Sequence, residues 1–246
     1  MLTSPSNLSS KDLKYLVSIC LSLELFEEAY SYVNDLVASR KGLLDEEERN
    51  LYMKSVKGKL NSFRNGWKTL IDFDNYEGEK IVIPKPLIEE KRKQLEDIIK
   101  QFCMETIHTI QNTLQIQVRD DDFSAEIFYL KLKADYYRYY GEIAPENEFE
   151  KYKEECRHCY EKAYSMCGEH LDYTSPLFLS VALNYSVFLY TLTDEVKLAF
   201  DKANDVYKQA ILKLNPEQKV PEIENIIKSI EENLTIWKIE LADFNN

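Results

Sequence analysis

Residues 129–142 read YLKLKADYYRYYGE, a stretch in which five tyrosines stand among two lysines, one arginine and two acids. A step of 100° per residue gathers the charged side chains into one narrow stripe of a helix, beside an apolar stripe. The charged stripe consists of Lys131, Asp135, Arg138 and Glu142. Taken alone, this pattern is typical of a solvated ladder of ion pairs next to a core-facing surface.

A second stretch, residues 57–68 (KGKLNSFRNGWK), offers another cationic stripe. Lys57, Arg64 and Lys68 fall on one helical face, and the neighbouring face is apolar. If the apolar faces of the two helices pack together, Lys57 and Arg64 converge on Arg138. Cations that converge inside an acidic protein imply a bound anion, and a phosphate suits such a site.

The charge and the cysteine content limit the class of protein. The net charge is −12 and the pI is near 4.9, which argues against nucleic acid as a partner. The N-terminal residues show no signal peptide, and no apolar run is long enough to predict a membrane span. Five cysteines without a signal peptide favour reduced thiols and a cytoplasmic location.

Helical periodicity and capping residues divide the chain. Residues 45–48 (DEEE) resemble a capping box, and Ser175-Pro176 is a typical helix start. We predict about nine helices, over residues 10–22, 24–39, 45–74, 86–115, 123–142, 146–168, 176–192, 194–214 and 221–242. Their short connections favour antiparallel neighbours in one all-helical domain, 1–246. A loop over 73–86, a flexible N-terminal segment (1–9) and a short C-terminal tail (242–246) complete this prediction.

Enzymatic and metal-binding functions find little support. Residues 156–159 (CRHC) and 167–170 (CGEH) supply thiols and imidazoles that could bind zinc. Structural zinc sites usually place such pairs on turns, whereas these lie on a predicted helix, where cysteines are commonly buried. Glycine-rich phosphate loops and the common hydrolase motifs do not occur. We therefore predict no catalytic residues, no metal and no cofactor.

Four motifs resemble those of the 14-3-3 family, in the same order and at similar spacing. They are YLKLKADYYRYYGE (129–142), EERNL (47–51) followed by Lys57, Arg64 and Trp67, LNYSVF (183–188) and ENLTIW (232–237). The resemblance extends from about residue 10 to residue 240. It implies nine helices that form a cup-shaped protomer with an amphipathic groove for phosphoserine or phosphothreonine peptides of client proteins.

The resemblance also assigns site residues. The phosphate would be bound by Lys57, Arg64, Arg138 and the Tyr139 hydroxyl, with Asp135 holding the cations in place. The peptide would be bound by Asn184, Asn233 and Lys131 and by an apolar wall. That wall comprises Leu183, Val187, Ile236 and Trp237, for which the alternative is an ordinary position in the helix core.

Three positions depart from the family pattern near the expected groove. Thr191 stands where the family usually has glutamate, Ser229 where it has leucine, and Phe63 where it has arginine. Loss of an acid and of apolar area predicts an altered peptide preference. Loss of the arginine makes the outer part of the basic surface less cationic.

The resemblance implies a homodimer or heterodimer through the N-terminal helices. The family's Arg–Glu pair across that interface aligns here with Leu25 and Ile98, so the interface is weakened or repacked, with a monomer as the alternative. The sequence thus predicts a phosphopeptide-binding adaptor in signalling. The alternative is a phosphate-independent helical scaffold, in which Lys57, Arg64 and Arg138 form only local ion pairs.

Overall fold

Helices form the regular structure of residues 8–74, 84–214 and 220–243, the part of the chain that the computed structural model describes. In this part the α-helices are α1 (Ser10–Ser22), α2 (Phe26–Ser39), α3 (Glu46–Asp74), α4 (Lys85–Thr109), α5 (Phe123–Gly141), α6 (Glu146–His170), α7 (Pro176–Thr191), α8 (Val196–Lys213) and α9 (Pro221–Asp243). The prediction of an all-helical chain with about nine helices is confirmed. None of these described helices combines the length and apolar character that crossing a membrane requires.

Capping residues set several helix starts. The Glu48 amide donates a hydrogen bond to Asp45 Oδ1 at 2.8 Å, and the Asp45 amide donates to Glu48 Oε2 at 2.9 Å. The predicted capping box therefore begins α3. Pro176 occupies the first position of α7, directly after Ser175, as the sequence predicts.

The end of α4 differs from the prediction of a regular helix over 86–115. The α-helix stops at Thr109 and continues as a π-helical turn (Ile110–Leu114) and a 3-10 turn (Gln115–Gln117). Gly42, with φ at +82°, lies against the π-helical turn, and a Cβ added there would be 2.3 Å from the Thr113 carbonyl oxygen. This approach between distant segments is tertiary, so helical periodicity does not reveal it.

Three predictions fall largely outside the described residues. α3 extends to Asp74 and α4 begins at Lys85, so most of the loop predicted over 73–86 is not described. The same is true of most of the N-terminal segment 1–9 and of residues 244–246. At the C-terminus α9 reaches Asp243, one residue beyond its predicted end.

The chain divides into two compact units, Met1–Val118 and Arg119–Asn246. In the N-terminal unit α1 packs against α2, α2 against α3 and α3 against α4, and α1 also contacts α3. In the C-terminal unit α5 packs on α6 and contacts α7, and α7 contacts both α8 and α9. Within each unit successive helices run antiparallel, as their short connections predict. A single domain with a cup-shaped groove stays a prediction.

Gly58, in the middle of α3, marks a close helix contact within the N-terminal unit. A Cβ added to Gly58 would lie 2.1 Å from Cδ1 of the Phe26 ring at the start of α2. Glycine in a helix interior normally costs about 0.5–1 kcal/mol relative to alanine. Here the absence of a side chain lets the aromatic ring sit directly on the α3 backbone.

We expect Gly58→Ala to lower the free energy of unfolding by about 1–3 kcal/mol, because the Phe26 ring must move to admit the methyl group. Gly66→Ala is the matched control on the same helix, since its Cβ would meet Leu95 Cδ1 at 3.4 Å, an ordinary contact. The control should be neutral or stabilising. Urea denaturation measures both variants, and an equal gain in stability from both would contradict the close contact.

Candidate functional site

The charged stripe that starts in α5 is buried at Lys131 and Asp135 and half-buried at Arg138 and Glu142, which corrects the interpretation of a solvated ladder. Lys131 Nζ donates to Asp135 Oδ2 at 2.7 Å, and the two side chains are only 8% and 7% exposed. Arg138 Nη1 donates to Glu142 Oε1 at 3.0 Å, and the arginine side chain is 11% exposed. The predicted i,i+4 pairs therefore exist, but they lie inside the C-terminal unit.

Asp135 is the centre of this buried network. Its Oδ1 accepts hydrogen bonds from the Tyr160 hydroxyl at 2.5 Å and from Asn184 Nδ2 at 2.8 Å, while Lys131 occupies Oδ2. The donors come from α6, α7 and α5, so one carboxylate joins three helices. A buried charge requires such a set of partners because it has given up its hydration.

The electrostatics keep this carboxylate ionised. Burial alone would raise the pKa of Asp135. The charges of Lys131 and Arg138, with the hydrogen bonds from Lys131 and Tyr160, outweigh burial and hold the pKa below its ordinary value. Asp135 is therefore an anion at neutral pH and balances the cations beside it.

Arg138, beside this network, has a buried Nε that makes no hydrogen bond to the described residues. Among the described residues its hydrogen bond goes to Glu142, and its Nε is buried without an acceptor. The guanidinium carbon lies 4.5 Å from the centroid of the Tyr139 ring. Burial would lower the pKa of Arg138, but surrounding oxygens, including those of Asp135 and Glu142, raise it, so the group stays charged.

In the N-terminal unit, α3 carries the other two predicted phosphate ligands. Lys57 is exposed and Arg64 is half-buried, seven residues further along the same helical face. Lys57 and Arg64 belong to one compact unit, and Arg138 and Tyr139 belong to the other. The convergence of all four on one phosphate stays a prediction.

Phe63, which stands at a family arginine position, has an apolar role in the N-terminal unit. Its ring centroid lies 6.4 Å from that of Phe102 on α4, in an edge-to-face arrangement. Nearby, Trp67 Nε1 donates to Glu96 Oε1 at 3.1 Å. The substitution therefore exchanges a cation for a packing contact between α3 and α4.

The predicted peptide-binding residues of the C-terminal unit differ in accessibility. Leu183, Val187 and Asn233 are half-buried, and Ile236 is 55% exposed. Trp237 is only 2% exposed, and its ring lies 5.5 Å from that of Tyr190. The core interpretation therefore fits Trp237, whereas the others present surface to solvent.

The two further departures from the family pattern lie at the surface of their helices, with Thr191 exposed and Ser229 half-buried. The Thr191 hydroxyl donates to the Val187 carbonyl at 2.8 Å, and the Ser229 hydroxyl donates to the Asn225 carbonyl at 3.1 Å. Each hydroxyl is thus satisfied by its own helix. Neither side chain replaces the charge or the apolar area that the family pattern has at these positions.

The cysteines that could have bound zinc are buried within the C-terminal unit. Cys156, Cys159 and Cys167 are free thiols with no exposed surface, and burial raises the pKa of Cys167 to about 12. The part of the chain that the structure describes holds no group of three or more potential ligands able to hold a metal ion. The helical thiols therefore fit the packing interpretation.

Tyr160 is the residue of this network that the sequence did not reveal. It lies 25 residues beyond Asp135 on the next helix, and no spacing or motif connects the two. The signal that could have found it is weak. Polar and apolar residues alternate closely along α5, so some of its charged groups must be buried, and a buried carboxylate needs a donor from a neighbouring helix.

We expect Asp135→Ala to lower the free energy of unfolding by about 3–5 kcal/mol, because it leaves Lys131 buried without its counter-charge and removes one of the carboxylates that support Arg138. Asp201→Ala is the matched control, since Lys197 and Asp201 form an i,i+4 pair of the same order whose side chains are 70% and 50% exposed. That control should change stability by less than about 1 kcal/mol. Urea denaturation compares the two, and similar losses would contradict the burial of the α5 pair.

Comparison with known proteins agrees with the motifs. The family described as "14-3-3 protein" matches residues 16–238. The 14-3-3-like protein D of Nicotiana tabacum is 28% identical over 243 residues, which are 97% of this chain and 97% of the relative. The 14-3-3 protein 10 of Solanum lycopersicum is 28% identical over 244 residues, 97% of this chain and 96% of the relative.

A more distant organism gives a similar result. The 14-3-3 protein 3 of Entamoeba histolytica is 27% identical over 241 residues, which are 96% of this chain and 98% of the relative. Identity is low in each pair, but every alignment extends over nearly the full length of both proteins. Because the family match spans most of the 246 residues, the chain belongs to the 14-3-3 family of non-enzymatic adaptor proteins.

Proposed function

We propose that this 14-3-3 family member binds phosphoserine or phosphothreonine segments of client proteins and regulates them without changing them chemically. The observation that carries the proposal is Arg138, a half-buried and permanently charged side chain whose buried Nε has no acceptor among the described residues. The oxygens of a phosphate accept charge-assisted hydrogen bonds from the N–H groups of a guanidinium. Since the protein has a net charge of −12, attraction of an anion must be local.

The remaining ligands in the proposal come from both units. Lys57 and Arg64 of α3 would join Arg138 and the Tyr139 hydroxyl around the phosphate. Asn184 and Asn233 would bind the peptide backbone, because an amide offers both a donor and an acceptor to an extended chain. The half-buried Leu183 and Val187 and the exposed Ile236 would supply apolar surface beside them, and Lys131 would contribute through Asp135.

The proposal includes a cytoplasmic location and an altered peptide preference. The five free cysteines are all buried thiols, which is compatible with a reducing compartment. Thr191 and Ser229 offer neither an acid nor a large apolar side chain, so residues beside the phosphate would be selected differently from those of typical relatives. Client identity then depends on these peripheral positions.

A phosphate-independent scaffold is the competing function, and one observation favours it. The pairs Lys131–Asp135 and Arg138–Glu142 are formed between residues of α5 and its C-terminal capping residue. In a scaffold these pairs would be structural only. The two functions differ in a single measurable respect, which is whether a client segment binds more tightly when it carries a phosphate.

We expect a peptide of the type Arg-Ser-X-phosphoSer-X-Pro to bind at least about 30-fold more tightly than its unphosphorylated twin, since the phosphate adds at least about 2–4 kcal/mol. Lys57→Glu should remove nearly all phosphate-dependent binding without changing helicity. Fluorescence anisotropy and circular dichroism measure these effects. Lys208→Glu, an equal charge reversal at an exposed position of α8, is the matched control and should bind like the native protein.

Two outcomes would contradict the phosphopeptide proposal. Equal binding of the two peptides would support the scaffold, and binding of neither would show that the site does not hold a phosphoserine of this sequence type. Retained binding by Lys57→Glu alongside a strong preference for phosphate would keep the function but remove Lys57 from the site.

We also propose that the protein forms a homodimer or heterodimer through its N-terminal helices, with a repacked interface. Leu25 and Ile98 are each 42% exposed, although both are apolar. Other exposed large apolar side chains of α1, the following turn and α4 include Tyr15, Ile19, Leu23 and Leu87. An apolar surface of this kind in one part of a protein favours association.

We expect the native protein to sediment as a dimer and Leu25→Asp to sediment as a monomer at the same micromolar concentration, because a carboxylate in an apolar interface loses its hydration. Leu43→Asp is the matched control, since Leu43 is 57% exposed in the connection between α2 and α3. That variant should remain a dimer. A monomeric native protein, or equal dissociation of both variants, would reject this interface.

A further inference from the structure

Oδ1 of Asp135 is shared by two donors that belong to different helices. The Tyr160 hydroxyl of α6 lies 2.5 Å from this oxygen, and Asn184 Nδ2 of α7 lies 2.8 Å from it. Asn184 is among the residues that the proposed function assigns to the peptide backbone. The two hydrogen bonds therefore connect a buried tyrosine on one helix to a predicted ligand on another through a single oxygen atom.

The Tyr160 side chain is held firmly where it donates. It has no exposed surface, and its ring centroid lies 5.7 Å from each of the rings of Tyr185 and Phe188 on α7. Burial and the nearby Asp135 charge raise the pKa of Tyr160 well above its ordinary value, so the hydroxyl keeps its proton. It is a donor that neither rotates away easily nor ionises at neutral pH.

The Asp135 carboxylate also decides which way the Asn184 amide faces. A carboxylate only accepts hydrogen bonds, so the amide nitrogen must point toward Asp135. The Asn184 carbonyl oxygen and its second N–H are then left for other partners. If the Asn184 amide could flip, its oxygen and its nitrogen would exchange places. The protein would then have lower affinity for a ligand that needs one defined orientation of the amide.

We infer that Tyr160 is a positioning residue for ligand binding: its hydroxyl fixes the Asp135 carboxylate, which orients the Asn184 amide toward the peptide backbone. This inference rests on the proposed function, because the ligand is the same phosphorylated segment. Tyr160 itself has no exposed surface to offer a ligand. Its contribution passes through Asp135 and Asn184.

Tyr160→Phe tests this role because it removes the hydroxyl and keeps the ring. We expect affinity for the phosphopeptide to fall roughly fivefold, the equivalent of one hydrogen bond, with native helicity. Tyr164→Phe is the matched control, since Tyr164 lies one turn further along α6 and its hydroxyl reaches the Lys202 carbonyl at 3.3 Å, not Asp135. The control should bind like the native protein.

Two further measurements separate positioning from a general loss of structure. In an Asn184→Ala background, Tyr160→Phe should change affinity by less than about twofold, because the residue through which it acts is gone. The side-chain amide resonances of Asn184, assigned by their absence in Asn184→Ala, should shift in Tyr160→Phe and not in Tyr164→Phe. This second readout does not require a ligand.

The outcomes distinguish this inference from the function on which it rests. Suppose that the native protein binds the peptide only when the peptide is phosphorylated, but Tyr160→Phe keeps native affinity and unshifted Asn184 resonances. The positioning role is then wrong and the function stands. Equal losses in the native and Asn184→Ala backgrounds would also overturn it. If the native protein shows no preference for phosphate, the proposed function itself fails, whatever Tyr160 does.

Discussion

The carboxylate of Asp135 accepts hydrogen bonds from Lys131, Tyr160 and Asn184, and the packing of three helices depends on that one buried charge. An ionised group inside a protein is tolerated only where neighbouring donors replace water. Here the donors come from α5, α6 and α7. The hydrogen bonds therefore limit the rotation of each helix about its axis and its shift along that axis relative to the other two. Apolar packing alone is less demanding, because it is not directional.

The same carboxylate also stabilises the charge of Arg138. Asp135 lies close enough to help raise the arginine pKa, but the arginine donates its hydrogen bond to Glu142, one turn away on the same helix. Asp135 therefore supports the charge of the Arg138 guanidinium without accepting hydrogen bonds from all of the arginine N–H groups. A cation that is electrostatically supported and only partly hydrogen-bonded suits an incoming phosphate better than one enclosed in a bidentate pair.

Local chemistry explains why the helices were predictable and several contacts were not. The capping box at residues 45–48 and the Ser175-Pro176 start depend on neighbours in sequence, so their patterns located α3 and α7 closely. The π-helical turn after α4 lies against Gly42, and the Asp135 carboxylate accepts hydrogen bonds from side chains of α6 and α7, and no local pattern encodes these contacts. The phosphate ligands were assigned through the family resemblance, and periodicity showed only that their cations share helical faces.

The positions where this chain departs from its family make contacts that are more local than those of the buried Asp135 network. Thr191 and Ser229 bond to their own helix backbones, and Phe63 packs against Phe102, so each substitution is accommodated locally. A change at Asp135 could not be accommodated in that way, because its partners lie on three helices and each would keep an unmatched polar group. Low identity to relatives is therefore compatible with an intact buried network, since these three substitutions leave the hydrogen bonds of Asp135 in place.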